Sequence, residues 1–248
     1  GRFYVKYGGV ESVDEVTGIE TYWSFLDADG NVDWTYLPQG VDYKSEFSYQ
    51  KNRHQWMLPQ AKAYRATGNE DYFNNWIDSY WSWLEKYPCP EGKTSQMEWT
   101  GLQLSSRISV QTEILWYYIH SSGFTPALLT KFLKALYQHV ECQRSNWYNT
   151  ATSNIRLSQE QAFTIAAIMY PEFAKSEEWL SEGASAIANQ LETQFLEDGV
   201  HNEFDISYHF GDTGLAAFTE LFSIVSANDK LSLFPSDYKD KLYRATQF

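Results

Sequence analysis

Tyr72-Phe73-Asn74-Asn75-Trp76-Ile77-Asp78-Ser79-Tyr80-Trp81-Ser82-Trp83-Leu84 decides the fold class. Tyr72, Trp76, Ile77, Tyr80, Trp81 and Leu84 recur at helical spacing, so they share one face of an amphipathic helix. The stripe stops before Pro88-Cys89-Pro90, where proline forces the chain out of helix. On the N-terminal side, Phe47, Trp56, Leu58, Ala61, Ala63 and Tyr64 form a similar stripe, halted by Gly68-Asn69. On the C-terminal side the pattern repeats. Leu102 to Ile119 is a third helix. Thr125-Pro126 opens a fourth, with Thr125 as N-cap and Pro126 in the first turn. A fifth is expected from Asn154 to about Met169, a sixth from Lys175 to Leu196, a seventh over about 212–227 and a short eighth over about 236–246. Residues 199–211 read as polar and helix-poor.

Eight helices in antiparallel succession with little strand signal make an all-α chain. Hairpins of similar length without a strict repeat favour an incomplete (α/α) toroid over a regular repeat array. Residues 46–248 are assigned to this toroid. Residues 1–45, rich in Gly, Asp and Asn turn formers, are read as an irregular N-terminal arm docked by Trp23, Phe25, Trp34 and Tyr36. If alternate helices run the same way, the loops 88–100, 145–153 and 199–211 share one rim.

Composition narrows the function. The formal net charge over 248 residues is −13, which disfavours nucleic acid as a partner because phosphate binding needs a basic footprint. No apolar run reaches the roughly 18 residues of a membrane-spanning helix. The chain has ten Trp, 18 Tyr and 15 Phe. Most belong in a core, but such rings also offer flat apolar faces with polar edges, on which sugars stack. Cys89 and Cys142 have no metal-ligand spacing and fit either a disulfide or two thiols. Nothing suggests a zinc site, a phosphate loop or a serine-nucleophile elbow, so no cofactor or metal is expected.

Two polar stretches can carry chemistry. His201-Asn-Glu-Phe-Asp-Ile-Ser-Tyr208-His209 crowds titratable groups between helices, and Asn149 to Asn154 precedes the fifth helix. The second fits plain N-capping by Thr152, Ser153 or Asn154 as well as a functional site.

These residues resemble the heparinase II/III-like polysaccharide lyases. The likeness runs through Asn52-Arg-His-Gln-Trp56, Ala63 to Asn69, Trp99 to Ile108, Thr150 to Asn154, Tyr170-Pro-Glu-Phe173 and Glu197 to His209. It implies β-elimination on a uronic-acid glycosaminoglycan such as heparan sulfate, in a periplasmic or secreted setting. Within the family the toroid is followed by a C-terminal antiparallel β-sandwich, which lies outside this chain and contributes a catalytic His.

The resemblance places the catalytic Asn on Asn154 and the catalytic Tyr on Tyr208. An Asn amide can hydrogen-bond the substrate carboxylate as an enolate forms. A phenol can take the C5 proton or protonate the leaving oxygen. Arg107, His54 and His209 are candidates to bind substrate anions, and Trp99 and Trp147 to stack on sugar. Ile155, where many relatives carry His, argues against the alginate lyase branch. Two alternatives are a toroid glycoside hydrolase, built on a carboxylate pair from Glu98, Glu203 and Asp205, and a noncatalytic glycan-binding domain.

Overall fold

The computed structural model describes residues 2–6, 9–13, 16–39, 44–149, 153–211 and 214–247. The arm is less irregular than its composition predicts. Strands β1 (Arg2–Lys6), β2 (Gly9–Val13) and β3 (Glu20–Ser24) form an antiparallel sheet in the order β1-β2-β3, with Lys6 opposite Gly9 and Val13 opposite Glu20. Each strand is only five residues long, too short for its alternation to stand out among the turn formers. Beyond the sheet, Phe25 is fully buried and meets Phe47 and Trp56 edge-on. Trp34 is buried and donates from Nε1 to Ser82 Oγ at 3.0 Å. Lys51 is also buried and donates to the carbonyls of Tyr36 (2.9 Å) and Asp33 (3.3 Å). Burial pushes its ammonium down to about 8.

Ten α-helices are present among the described residues: α1 (Lys44–Arg53), α2 (Leu58–Thr67), α3 (Glu70–Lys86), α4 (Gly101–Tyr118), α5 (Pro126–Ser145), α6 (Asn154–Met169), α7 (Ser176–Gln194), α8 (Ile206–Phe210), α9 (Leu215–Ala227) and α10 (Tyr238–Thr246). Thr125 caps α5 by accepting from Leu128 N at 3.2 Å. The first stripe of the sequence is two helices rather than one. They break at His54, in the left-handed region at φ 63, and Pro59 opens α2 without an N–H to continue the ladder.

Helices α2, α4, α6 and α9 touch in succession and form the inner ring, with α3, α5, α7 and α10 outside them. This alternation is the (α/α) toroid arrangement. Because one outer helix separates each inner pair, inner helices run the same way and their N-terminal ends gather on one rim. At the crossing of α6 and α7, a Cβ on Gly183 would lie 2.1 Å from Thr164 Oγ1, so only glycine allows that approach. The core has two clusters. The larger, on the N-terminal side, is rich in Trp and Tyr; the smaller, around α7, α9 and α10, is mostly aliphatic. Cys89 and Cys142 are thiols.

Candidate functional site

A groove runs along the rim. Its first part, about 890 Å³, is lined by Arg53, Lys93, Thr100–Gln103, Arg144–Asn149 and Ile155, among others. Its second part, about 610 Å³, is lined by Leu102, Ser105, Ser106, Ser109, Ser158, Gln161 and Glu220, among others. Arg53 and Leu102 line both. Residues 93–94 of one loop and 145–149 of the other therefore meet in one place, and Asn146 ties them together. It accepts from Thr94 N at 2.7 Å and donates to Gly92 O at 2.9 Å.

The groove cations are partly paired. Arg53 is 3.4 Å from Glu46. Arg144 reaches Glu182 at 2.5 Å and also bonds Glu178, contacts that hold its guanidinium well above the usual range. Trp147 is half-buried, with its edge against Phe163 and its face under the Arg156 guanidinium at 4.5 Å.

Asn154 is the first residue of α6, and the cap before it is Ser153, whose Oγ accepts from Arg156 N at 3.1 Å. Ile155 lines the first part of the groove and Ser158 the second, while Asn154 itself borders neither. Its Oδ1 accepts from Ile155 N at 2.8 Å. Its Nδ2 has no hydrogen-bond partner among the described residues.

Tyr208 lies in α8, a single helical turn in the stretch that the sequence predicts to be helix-poor. Asp205 caps this turn by accepting from Ser207 N (2.8 Å) and Tyr208 N (3.3 Å). The Tyr208 side chain is half-buried, and its hydroxyl has no partner among the described residues. Tyr208 borders neither part of the groove, whereas Ala216 and Ala217 of the following α9 line the second. Phe204, Ile206 and Phe210 stand exposed around it, and Phe204 holds the left-handed conformation at φ 53.

A buried chain of hydrogen bonds joins these two places. Gln194 Nε2 donates to Ser153 O at 3.3 Å. Gln194 Oε1 accepts from His201 Nε2 at 3.1 Å. His201 N donates to His209 Nδ1 at 3.3 Å, and His209 Nε2 donates to Ala245 O at 3.0 Å. His201 Nδ1 accepts from Glu203 N at 3.2 Å, so His201 accepts at one ring nitrogen and donates from the other. Burial lowers the His201 pKa.

Four expected contact residues are withdrawn from the surface. Arg107 is fully buried and donates to Glu98 O (2.5 Å), Asn52 O (2.8 Å), Gln103 O (3.2 Å) and His139 Nε2 (3.3 Å), with its guanidinium 4.0 Å from the Trp83 ring. Burial depresses it to about 9. Trp99 is fully buried, with Nε1 on Tyr87 O at 3.2 Å. His54 is fully buried and held well below the usual histidine range by burial and the Arg107 charge. His209 is buried within the chain described above. As placed, none of the four offers its side chain to a sugar. Two of the four stand one residue from a side chain that does line the groove: Arg53 beside His54 and Thr100 beside Trp99. The sequence reading missed Arg53, Lys93, Arg144 and Gln194. For Arg53 the signal was present, since it stands inside the Asn52–Trp56 motif.

Among the described residues no group of three or more His, Cys, Asp or Glu could hold a metal ion, and no helix is long and apolar enough to cross a membrane.

The family described as Heparinase II/III N-terminus matches residues 11–248. The chain belongs to this family. A heparin-sulfate lyase of Bacteroides thetaiotaomicron is 35% identical over 219 residues, covering 88% of this chain and 30% of that protein. A heparin-sulfate lyase of Pedobacter heparinus is 27% identical over 188 residues, covering 75% of this chain and 28% of that protein. A crystal structure of heparinase III superposes with TM-score 0.81 at 34% identity, over 91% of this chain and 33% of that one. The heparan sulfate lyase HepC of Pedobacter heparinus gives TM-score 0.76 at 25% identity, over 92% and 34%. The chain thus spans about a third of the length of the relatives it matches.

Proposed function

We propose that this chain is the helical part of a polysaccharide lyase that cleaves heparan sulfate, or a related uronic-acid glycosaminoglycan, by β-elimination. The observation that carries the reading is the state of Asn154 and Tyr208. Both are half-exposed and keep a polar end without a partner among the described residues, and a buried hydrogen-bond chain joins their neighbours. Asn154 Nδ2 donates to the uronate carboxylate as charge builds on the enolate. Tyr208 exchanges the protons. The C5–H bond breaks, a C4=C5 double bond forms, the C4–O bond breaks, and the leaving oxygen is protonated. Arg53 and Lys93 attract the polyanion into an otherwise acidic protein, and Trp147 offers a stacking face.

The hydrolase alternative gains nothing from the geometry, because Asp205 is engaged as the cap of α8 and nothing aligns it with a second carboxylate. The relatives are about three times as long. In the full-length protein, a further domain covers the exposed Phe204, Ile206 and Phe210 and completes the cleft, in a periplasmic or secreted setting.

The test is the ultraviolet absorbance of the unsaturated uronate when full-length protein is incubated with heparan sulfate. Tyr208→Phe is expected to lower the rate by roughly two to four orders of magnitude. Products lacking that absorbance would replace elimination by hydrolysis, and full activity in Tyr208→Phe would remove Tyr208 from the mechanism.

A further inference from the structure

Asn154 and Tyr208 are far apart in sequence, yet each adjoins an anchored residue: Ser153 precedes the first and His209 follows the second. Gln194, at the last turn of α7, sits between them and is buried. Its amide has only one orientation that fits. Nε2 donates to Ser153 O and to Gln190 Oε1 (2.6 Å), and Oε1 accepts from His201. Its backbone carbonyl also accepts from Asn202 N at 2.8 Å. One side chain therefore holds the first turn of α6 on one side and the loop leading to α8 on the other.

We propose that Gln194 is a positioning residue for elimination, fixing the separation and orientation of Asn154 and Tyr208 through Ser153 and the His201–His209 pair. This rests on the catalytic reading above. The physical ground is that two reacting groups on different helices must keep their relative placement. A displacement of about 1 Å costs on the order of a hundredfold in rate. Gln194, His201 and His209, which link them, are buried, so their bonds form at low local dielectric.

The experiment uses the full-length protein, heparan sulfate and the unsaturated-product assay. Gln194→Met keeps volume and removes all three side-chain bonds. Gln194→Glu keeps an acceptor for His201 but cannot donate to Ser153 O, and it decides the question if the Met variant does not fold. In the folded variant kcat is expected to fall about ten- to a hundredfold while KM stays within about threefold. Gln194→Glu placed in a Tyr208→Phe background is expected to add little further loss, since the two act on one step. A folded Gln194→Glu with kcat within about twofold of the parent overturns the proposal, as does a change confined to KM or a loss that multiplies fully with that of Tyr208→Phe. Failure of the underlying reading looks different: Tyr208→Phe and Asn154→Ala would both keep parental activity, and the proposal would fall with them.

Discussion

The two cores bury polar groups in opposite ways. In the larger, aromatic rings pack face and edge: Trp76 stacks on Tyr118 at 4.9 Å and 19°, and Trp83 lies 5.3 Å from Trp99. That core encloses a charge, Arg107, held by backbone carbonyls and a Trp face instead of a carboxylate. In the smaller core, Leu157, Ile187, Leu191 and Leu221 pack around neutral amide and imidazole groups. The aromatic core uses charge to lock the turns at Asn52 and Glu98, which shape the groove wall. The aliphatic core uses neutral links to hold the places where chemistry is proposed. Charge in the first is a scaffold; in the second the nearest buried charge, Glu160 on α6, is paired with Arg156.

The strongest way to break this contrast is Arg107→Ala. It orphans the Asn52 and Glu98 carbonyls and opens a cavity against Trp83, so denaturant unfolding should show a loss of roughly 3–5 kcal/mol. A loss below about 1 kcal/mol would mean that the buried guanidinium is no scaffold. In the other core, Asn154→Ala in the full-length protein should lower kcat by on the order of a hundredfold, equivalent to about 2.7 kcal/mol. Its unfolding curve should stay near the parent's, because Ser153 is the cap.

Acid should act through the buried histidines of both cores. His139 is pushed down to about 3 by burial and then by the Arg107 charge, and His54 and His201 are also lowered by burial. The unfolded chain takes up these protons near pH ~6.5 while the folded chain does not. The stability they contribute is therefore present above that pH and declines as pH falls toward their folded values. The expected slope is about 1.4 kcal/mol per pH unit for each histidine that stays neutral when folded. Unfolding free energies measured from neutral to mildly acidic pH check this. His139→Gln should flatten the slope by about one proton, and a flat parent profile would contradict the lowered values of these buried histidines. The smallest expected effect is Ser153→Ala, a loss of about 1 kcal/mol of stability as the α6 cap is removed. A loss of turnover as well would show that the cap also sets the Asn154 geometry.

The helices were legible because their apolar stripes are long and their stops are marked by Gly and Pro. Thr125-Pro126 told of α5 and Gly68 of the end of α2. The break at His54 was only half legible: Pro59 marks the start of α2, but the left-handed turn at His54 goes with a tertiary contact, Arg107 on the Asn52 carbonyl. The sheet was missed because short strands leave little alternation, and α8 because one turn leaves no periodicity. In the site, Asn154 and Tyr208 were placed by motif resemblance alone. Composition could not show which neighbour in Arg53-His54 faces out, since the left-handed turn at His54 decides that. Gln194 had no signal at all, because an ordinary glutamine in a helix reveals its partners only when the helices are packed.

The crossing at Gly183 has a metrical consequence. Gly183 and Gln194 are eleven residues apart on α7, and Thr164 and Ser153 are eleven apart on α6. Eleven residues are close to three helical turns, about 16 Å along the axis. Each helix thus carries a ruler of the same length and phase, zeroed where the glycine meets the threonine and read off where the glutamine meets the cap carbonyl. A one-residue insertion or deletion within either ruler would turn one end by about 100° relative to the other. The helix would persist, but the alignment would not, so α6 and α7 can tolerate many changes of letter over this span and scarcely any change of length.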